Sequence, residues 1–243
     1  METLVIGDGG LGRAIAAACR ERGYPDARVV GRPPGGLHDP GSLGSADVAF
    51  EATTGDAVVA NVQALIDAGC RRLVIGTTGW ESDQARVDAI LQAAGAAAVR
   101  ASNFSLAAAV FLRVVEETAA LFGALGQFDP YIVEWHRRTK QDRPSGTARE
   151  LARRITASAR GRRNELEVAV VRAGGNPGTH LVGFDGPGEA VELRLIARDR
   201  VAYADGALAA AAWLMAEPRA PGLHAFATVV DALLDPTTVA VLA

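Results

Sequence analysis

Short apolar segments alternate with helical patterns through the first half of the chain. The candidate strands are residues 3–6, 27–30, 48–51, 72–75 and 97–101, and the helix-like stretches between them include 12–22, 61–68 and 82–94. Short strands separated by helices predict a parallel sheet with helices on both faces. We therefore expect an α/β fold whose N-terminal part is a doubly wound sheet of the Rossmann type.

A different pattern follows Asn103. Gly-rich turns now separate several of the strands, which predicts an α+β region with a mixed or antiparallel sheet. The helices are predicted at 106–122, 147–158, 205–216 and 228–234, and the strands at 131–134, 166–172, 178–185 and 190–197. Residues 160–163, Arg-Gly-Arg-Arg, are interpreted as a solvated loop without a function.

The composition argues against several classes of protein. A net charge of −3 over 243 residues disfavours general nucleic-acid binding, and no apolar run reaches the roughly 18 residues of a membrane span. The N-terminal segment lacks the pattern of a secretory signal, so we expect a cytoplasmic protein. Cys19 and Cys70 are interpreted as small buried hydrophobes, although a disulfide stays open. The four histidines lack metal-ligand spacing, so no metal site is expected.

The first candidate strand leads into a Gly-rich loop, Gly-Asp-Gly-Gly-Leu-Gly, at residues 7–12. This G-x-G-x-x-G pattern allows a tight turn and the close approach of a pyrophosphate to the N–H groups of a helix N-terminus. A Gly-rich turn without a ligand is the alternative. The candidate cofactor-binding residues are Gly7, Gly9, Gly10, Leu11 and Gly12.

Arg32 follows the second candidate strand. In folds that bind NAD, an acidic residue near this place bonds the ribose 2′-hydroxyl, whereas an arginine accommodates the 2′-phosphate of NADP. No carboxylate is expected to compete with Arg32, so the sequence favours NADPH, with NADH possible. A solvated loop arginine is the alternative.

Small polar residues follow three further strands, in the loops at 51–55, 76–80 and 102–105. Ligands of doubly wound folds lie at the carboxyl ends of the strands. Each loop alone could be a simple turn, but three of them at one edge favour a cofactor that runs across them. The candidate residues are Thr53, Gly76, Thr77, Thr78, Ser102, Asn103 and Phe104.

Residues 134–148, EWHRRTKQDRPSGTA, combine cations with a helix-start signal. The basic side chains around His136 are Arg137, Arg138, Lys140 and Arg143, in a predicted loop that begins at Glu134. The following Pro-Ser-Gly-Thr predicts a helix with a hydroxyl cap and free N–H groups. Both features attract anions, so a small dicarboxylate would fit, and the histidine could supply a proton. A basic exposed loop before an ordinary capped helix is the alternative.

This stretch resembles the signature E-x-H-H-x-H-K-x-D-x-P-S-G-T-A of the 4-hydroxy-tetrahydrodipicolinate reductase family, also called dihydrodipicolinate reductases. The matching positions are Glu134, His136, Lys140, Asp142 and residues 144–148. The likeness continues in VIGTTGW at 74–80, SNFS at 102–105, RDR at 198–200 and YADGA at 203–207. It therefore covers nearly the whole chain, in order, and the combination is far more specific than any single piece.

The resemblance implies that NAD(P)H delivers hydride to C4 of a cyclic imine dicarboxylate, with loss of water, in bacterial lysine and diaminopimelate biosynthesis. His136 would then be the general acid and Lys140 would bind and polarise the substrate. The substrate-binding residues would be Arg137, Ser145, Gly146 and Thr147, and Arg200 would join the cofactor site.

The family fold implied by the resemblance is a dinucleotide-binding domain interrupted by a substrate domain whose open sheet builds a homotetramer. The corresponding domains are 1–104 with 202–243, and 105–201. Arg137 and Thr139 replace two signature histidines, Leu11 replaces a basic residue, and Glu51-Ala52-Thr53 replaces D-F-T. These differences leave open a related reductase of another cyclic imine, or a non-catalytic nucleotide sensor. His136 and Lys140 argue against the sensor, because binding alone needs no proton donor.

Overall fold

The computed structural model describes residues 1–33, 38–158 and 165–235, so the predicted loop at 160–163 lies outside the described residues. The chain divides into two compact units. Unit 1 contains Met1–Leu106 and Arg200–Ala243, and unit 2 contains Ala107–Asp199.

The strands of the described residues are β1 Thr3–Ile6, β2 Arg28–Val30, β3 Val48–Glu51, β4 Arg72–Ile75, β5 Ala97–Arg100, β6 Asp129–His136, β7 Glu167–Arg172, β8 Gly178–Gly186, β9 Glu189–Ala197 and β10 Gly222–Ala225. The α-helices are α1 Gly10–Glu21, α2 Pro40–Leu43, α3 Val58–Asp67, α4 Gln84–Ala93, α5 Leu106–Leu125, α6 Gly146–Ser158, α7 Val201–Ala216 and α8 Phe226–Leu234.

Unit 1 is built on a six-stranded sheet in the order β10-β5-β4-β3-β1-β2. All of its strand pairs are parallel, which confirms the predicted doubly wound sheet. β1 and β3 are buried at every position, because helices cover both faces of such a sheet. The short helix α2 and the edge strand β10 were not predicted. β10 was missed because four residues that begin with glycine show no clear apolar period.

The helices of unit 1 pack small side chains closely against the sheet. In α1 the buried residues are Gly12, Ile15, Ala18 and Cys19, which share one face of the helix. A Cβ at Gly206 of α7 would overlap the carbonyl oxygen of Phe104, so only glycine permits this approach. Cys19 and Cys70 are buried free thiols, as small core residues would be, and they form no disulfide.

Unit 2 contains a four-stranded mixed sheet in the order β7-β6-β8-β9. β6 runs parallel to β7 and antiparallel to β8, which agrees with the predicted mixed sheet. One face of the sheet packs on α5 and α6 through a buried cluster of Val115, Ala119, Ile132, Leu151, Ile155, Val182 and Phe184. The side chains of Trp135 and Val171, which are paired across β6 and β7, are each 41% exposed.

Some element boundaries differ from the sequence prediction. β6 extends to His136, so the loop that was expected to begin at Glu134 starts after the histidine. α1 begins at Gly10 and α7 at Val201, both earlier than the apolar periodicity indicated. Among the described residues, every helix is too short or too polar to cross a membrane.

Candidate active site

The loops at the carboxyl edge of the sheet in unit 1 are joined by backbone hydrogen bonds. The N–H of Gly7 donates to the carbonyl of Val30 at 2.8 Å, and the N–H of Gly76 donates to the carbonyl of Glu51 at 2.9 Å. The N–H of Thr53 donates to Oγ1 of Thr77 at 2.8 Å. The loops after β1, β3 and β4 therefore lie side by side, as the ends of adjacent parallel strands do.

At two positions of the loop between β1 and α1, any residue with a side chain would clash with the backbone, so only glycine fits. Gly7 has a φ of 109°, and a Cβ there would overlap the carbonyl of Ala52. A Cβ at Gly12 would overlap the carbonyl oxygen of Gly7. Gly9, the N-cap of α1, has no side chain to satisfy the first N–H groups of the helix, so they remain available to a ligand.

A cation lies at the start of α1. The guanidinium of Arg200 occupies the space that a Cβ on Gly10 would need. Uncapped N–H groups beside a guanidinium, on a glycine loop, fit the pyrophosphate of a dinucleotide cofactor. Leu11 lies against the loop after β4, since a Cβ on Gly76 of that loop would lie 2.6 Å from Cδ2 of Leu11.

The remaining predicted cofactor residues lie in the loops after β4 and β5. Thr78 is exposed, and the carbonyl of the neighbouring Thr77 accepts a hydrogen bond from Nε1 of Trp80 at 2.8 Å. Ser102 is exposed, whereas Phe104 is buried and packs edge-to-face on Phe226 with ring centroids 4.9 Å apart. The N–H of Ser105 donates to Oδ1 of Asn103 at 2.8 Å, which fixes the turn after β5.

Glu51 is a buried carboxyl that the sequence indicated only as a departure from the family pattern. Its Oε1 accepts hydrogen bonds from Thr53 and, at 3.0 Å, from Nδ2 of Asn61. Its Oε2 has no hydrogen-bond partner within the described residues. Burial raises the pKa of Glu51, and these hydrogen bonds oppose the rise only in part. Through these hydrogen bonds the side chain of Glu51 stabilises the loop that carries Thr53.

Arg32 is exposed at the end of β2, but a carboxylate lies nearby. A Cβ on Gly31 would lie 3.2 Å from Oδ2 of Asp8. The carboxylate of Asp8 therefore lies against the residue that precedes Arg32, and the prediction that no carboxylate competes with Arg32 stays a prediction. The sequence did not indicate this approach, because only strand pairing brings the loop after β1 beside β2.

In unit 2, neighbouring strands bring four polar side chains to one place. Glu134 and His136 are two residues apart on β6 and therefore face the same side of the sheet. The strand register places His180 of β8 opposite Glu134, and Arg172 of β7 opposite His136. All four side chains are at least nine-tenths buried.

Glu134 is the centre of this cluster. Its Oε1 lies 2.6 Å from the guanidinium of Arg172 and accepts from the N–H of Ser145 at 3.0 Å. Its Oε2 lies 3.5 Å from Nδ1 of His136 and 3.7 Å from Nε2 of His180. Nδ1 of His136 has no hydrogen-bond partner among the described residues. An unpartnered buried nitrogen beside a carboxylate is a group that can exchange a proton.

The spacing of Glu134, His136 and His180 would permit a metal ion, which the sequence spacing alone did not suggest. The guanidinium of Arg172 already pairs with the carboxylate, however, and would repel a cation at that point. A metal ion at this point would therefore have to displace the guanidinium from the carboxylate.

Burial is the main influence on the two imidazoles. It lowers the pKa of His136, and the nearby charge of Glu134 opposes that effect while Lys140 reinforces it. Burial, with the adjacent His136, lowers the pKa of His180 to about 4. Burial alone would raise the pKa of Glu134, but hydrogen bonds from Ser145 and Arg172 outweigh it and lower the value. The cluster at neutral pH is thus a carboxylate beside two largely neutral imidazoles.

The predicted substrate loop lies next to this cluster. Nζ of Lys140 pairs with Oδ1 of Asp142 at 2.7 Å, whereas Arg137 is exposed and its Nε donates to Oγ1 of Thr139 at 3.2 Å. The pair with Asp142 holds Lys140 beside the predicted substrate loop, and its role toward a substrate stays a prediction.

The start of α6 agrees with the sequence. Oγ of Ser145 accepts from the N–H of Ala148 at 3.2 Å, which is the predicted hydroxyl cap, and it also bonds Nε2 of His180 at 3.1 Å. Gly146 is exposed and Thr147 half-buried at the first two positions of the helix, and the N–H of Gly146 already interacts with the carboxylate of Asp142.

Sequence reasoning missed Arg172 and His180. Each lies at least 35 residues from its partner in the cluster, and neither belongs to a motif of its own. The signal that could have found them is the pairing of β6 with β7 and β8, since both residues lie in predicted strands.

Comparisons with known proteins agree with this geometry. A family model described as dihydrodipicolinate reductase, C-terminus, matches residues 107–230. The 4-hydroxy-tetrahydrodipicolinate reductase of Methanococcoides burtonii is 35% identical over 191 residues, which cover 73% of this chain and 70% of that protein. The enzyme of the same name from Methanoculleus marisnigri is 36% identical over 73% of this chain and 74% of that protein.

Among solved structures, the dipicolinate-bound dihydrodipicolinate reductase from Paenisporosarcina sp. TG-14 superposes with a TM-score of 0.71. It is 19% identical, and the match covers 93% of this chain and 97% of that one, so it supports the shared fold. The match over half of the chain, together with the identity to the two named reductases, shows that this chain belongs to the dihydrodipicolinate reductase family of NAD(P)H-dependent oxidoreductases.

Proposed function

We propose that this chain reduces 4-hydroxy-tetrahydrodipicolinate to tetrahydrodipicolinate in lysine and diaminopimelate biosynthesis. The observation that carries the proposal is the buried His136, whose free Nδ1 lies 3.5 Å from Glu134 at the edge of a cationic loop. In this reaction the hydroxylated ring loses water, hydride adds to C4, and a proton adds to the neighbouring ring carbon. The reduced nicotinamide of the bound cofactor supplies the hydride.

The residues of unit 2 have distinct roles in this proposal. His136 donates the proton, and Glu134 stabilises the imidazolium from which it comes. Lys140 exchanges its pairing with Asp142 for a substrate carboxylate and polarises the ring. The other substrate carboxylate is held by Arg137 and the start of α6, where Ser145, Gly146 and Thr147 lie. Unit 1 holds the cofactor, and unit 2 holds the substrate.

A related reduction of another cyclic imine is the second candidate. It is favoured by Arg137 and Thr139, which stand where the family signature has histidines and which bond to each other at 3.2 Å. Arg137 keeps a positive charge for a carboxylate but is longer and permanently charged. A different spacing between the two anionic groups of the substrate would suit this change.

A coupled assay separates the two candidates. Pyruvate and aspartate semialdehyde are joined by the upstream synthase to form the substrate, and loss of the reduced-nicotinamide absorbance is followed. The proposal expects oxidation that depends on both precursors. A chain that binds the cofactor but shows no oxidation would contradict the proposed substrate and leave the second candidate.

The exposed Arg32 supports NADPH as the preferred cofactor, with NADH as a second one. We expect Arg32→Ala to weaken NADPH binding by about 1–3 kcal/mol more than NADH binding, because one charge-assisted contact to the 2′-phosphate is lost. Titration of each cofactor against the variant and the wild type measures this difference. An equal effect on both cofactors would remove Arg32 from this role.

The open face of the unit 2 sheet supports a homotetramer. Trp135, Val171 and Ile196 expose 41%, 41% and 53% of their surface in the isolated chain. Aromatic and aliphatic side chains in such numbers are typical of a surface that a second copy covers.

We expect Trp135→Glu to dissociate this tetramer, since it places a charge in an apolar contact. Sedimentation velocity measures the assembled mass, and circular dichroism checks that the variant is folded. Leu121→Glu, on the exposed side of α5, is the matched control and keeps the wild-type mass. A wild-type chain that sediments as a monomer would contradict the assignment.

A further inference from the structure

Two side chains of opposite charge flank the end of β2. Arg32 follows the strand directly, and the carboxylate of Asp8 lies against Gly31, where a Cβ would be 3.2 Å from its Oδ2 and 3.6 Å from its Oδ1. Both side chains are exposed. The hydrogen bond from the N–H of Gly7 to the carbonyl of Val30 ties the loop that carries Asp8 to this strand end.

No helix cap, hydrogen bond or ion pair within the described residues explains the position of Asp8. Gly9 rather than Asp8 is the N-cap of α1, and no side chain caps the helix. In the part of the chain that the structure describes, Asp8 forms no hydrogen bond and no ion pair. A carboxylate that is free, exposed and adjacent to the end of β2 is therefore available to a ligand.

Arg32 is not a lone positive charge either. The charge of Arg32 acts on Asp56, whose pKa is lowered first by a hydrogen bond from Thr54 and, to a smaller extent, by Arg32. Asp56 belongs to the turn at Gly55–Ala57 that follows β3. Carboxylates of the loops after β1 and β3 thus lie near the end of β2, Asp8 against Gly31 and Asp56 within the electrostatic influence of Arg32.

In dinucleotide-binding folds the end of the second strand is where the ribose of the adenosine half is recognised. A carboxylate there accepts hydrogen bonds from the two ribose hydroxyls of NADH and repels the doubly charged 2′-phosphate of NADPH. A guanidinium has the opposite preference. Which cofactor binds more tightly is then decided by the balance of the two groups.

We propose that Asp8 is a cofactor-specificity residue that binds the unphosphorylated ribose diol and opposes the preference of Arg32 for the 2′-phosphate. The proposal rests on the cofactor site of the proposed function but not on its substrate. It assigns to the first Gly-rich loop the acidic group that the second strand of this chain lacks.

The test is the ratio of the two dissociation constants, measured by direct titration without substrate. Asp8→Asn keeps the size of the side chain and removes its charge. We expect it to shift the ratio about tenfold toward NADPH, from the loss of one charge-assisted hydrogen bond and one repulsion at an exposed site. ADP-ribose and its 2′-phosphate, titrated in the same way, should show the same shift, because both lack the nicotinamide.

Asp67→Asn is the matched control. It removes the same charge from an exposed carboxylate at the C-terminal end of α3, near the amino ends of the strands. The ratio of the two dissociation constants should stay unchanged. The double variant Asp8→Asn/Arg32→Ala should discriminate less between the cofactors than either single variant.

The outcomes separate this proposal from the one it rests on. If Asp8→Asn changes the affinity for both cofactors equally, or for neither, Asp8 has no part in specificity and the proposal is overturned. If the wild-type chain binds neither cofactor, the proposed function falls, and this proposal with it.

Discussion

His136→Gln should lower turnover by about 100-fold or more, which is the usual contribution of a general acid. Glutamine retains a polar side chain of similar reach but cannot donate a proton as an imidazolium does. Cofactor affinity should be nearly unchanged, because His136 lies in unit 2 while the Gly-rich loop lies in unit 1. Steady-state turnover and cofactor titration of the same preparation measure the two effects. His38→Gln, a histidine of unit 1, is the control and should turn over normally.

The pH dependence of the same variant provides a second test of this role. Burial lowers the pKa of His136 from 6.5, so kcat/KM of the wild type should fall as the pH rises through that lowered value, where the acid loses its proton. Bound substrate carboxylates favour the imidazolium, so the fall in kcat should lie at higher pH. His136→Gln should lose this fall. Turnover equal to that of the wild type, or a fall that persists in the variant, would assign the proton to another group.

The second large effect concerns stability. Arg172→Met should reduce the free energy of unfolding of unit 2 by about 3–5 kcal/mol, because it leaves the buried carboxylate of Glu134 without its partner. Trp135, on the same strand as Glu134, reports the transition by fluorescence during denaturant unfolding. Arg154→Met is the matched control, since Arg154 pairs with Glu116 and Glu150 at a partly exposed site and should cost no more than about 1 kcal/mol.

The change in the free energy of unfolding on acidification tests the Glu134–Arg172 pair in a second way. The folded-state pKa of Glu134 is lowered, so the pair stabilises the wild type above the unfolded value near 4.5, and this contribution is lost as the pH falls through the lower folded value. In Arg172→Met, burial instead raises the pKa of Glu134, so acid should neutralise it and reduce the penalty. A variant that is no less stable than Arg154→Met at neutral pH would show that Glu134 is not held as a buried charge.

Local patterns were sufficient for much of the fold. The strands β1, β3, β4 and β5 are short apolar runs between turn residues, and their burial on both faces matches that pattern. The strand β10 was missed because its residues Gly222–Ala225 carry no period, and its place is decided by pairing with β5. The end of β6 was misplaced because His136 is polar, although it continues the inward face of the strand.

The site was predicted where its residues are contiguous in sequence and missed where they are not. The Gly-rich loop and the residues 144–148 are continuous signals, each with a physical reason for its residue types. Arg172 and His180 reach Glu134 only through the register of the mixed sheet, and Asp8 reaches Gly31 only through parallel pairing. The spacing of residues in the sequence does not indicate these contacts between strands. The charged groups that surround each candidate site could therefore be identified only from the structure.

The most direct measurement is the fate of the transferred hydrogen. The substrate is generated in place and reduced with NADPH that carries deuterium at the reactive nicotinamide carbon, and the product is analysed by mass spectrometry and NMR. We predict tetrahydrodipicolinate with one deuterium at ring C4, formed at a rate that His136→Gln lowers about 100-fold. A product without deuterium, or deuterium transfer that proceeds equally fast in the variant, would contradict the proposed reaction or the role of His136 in it.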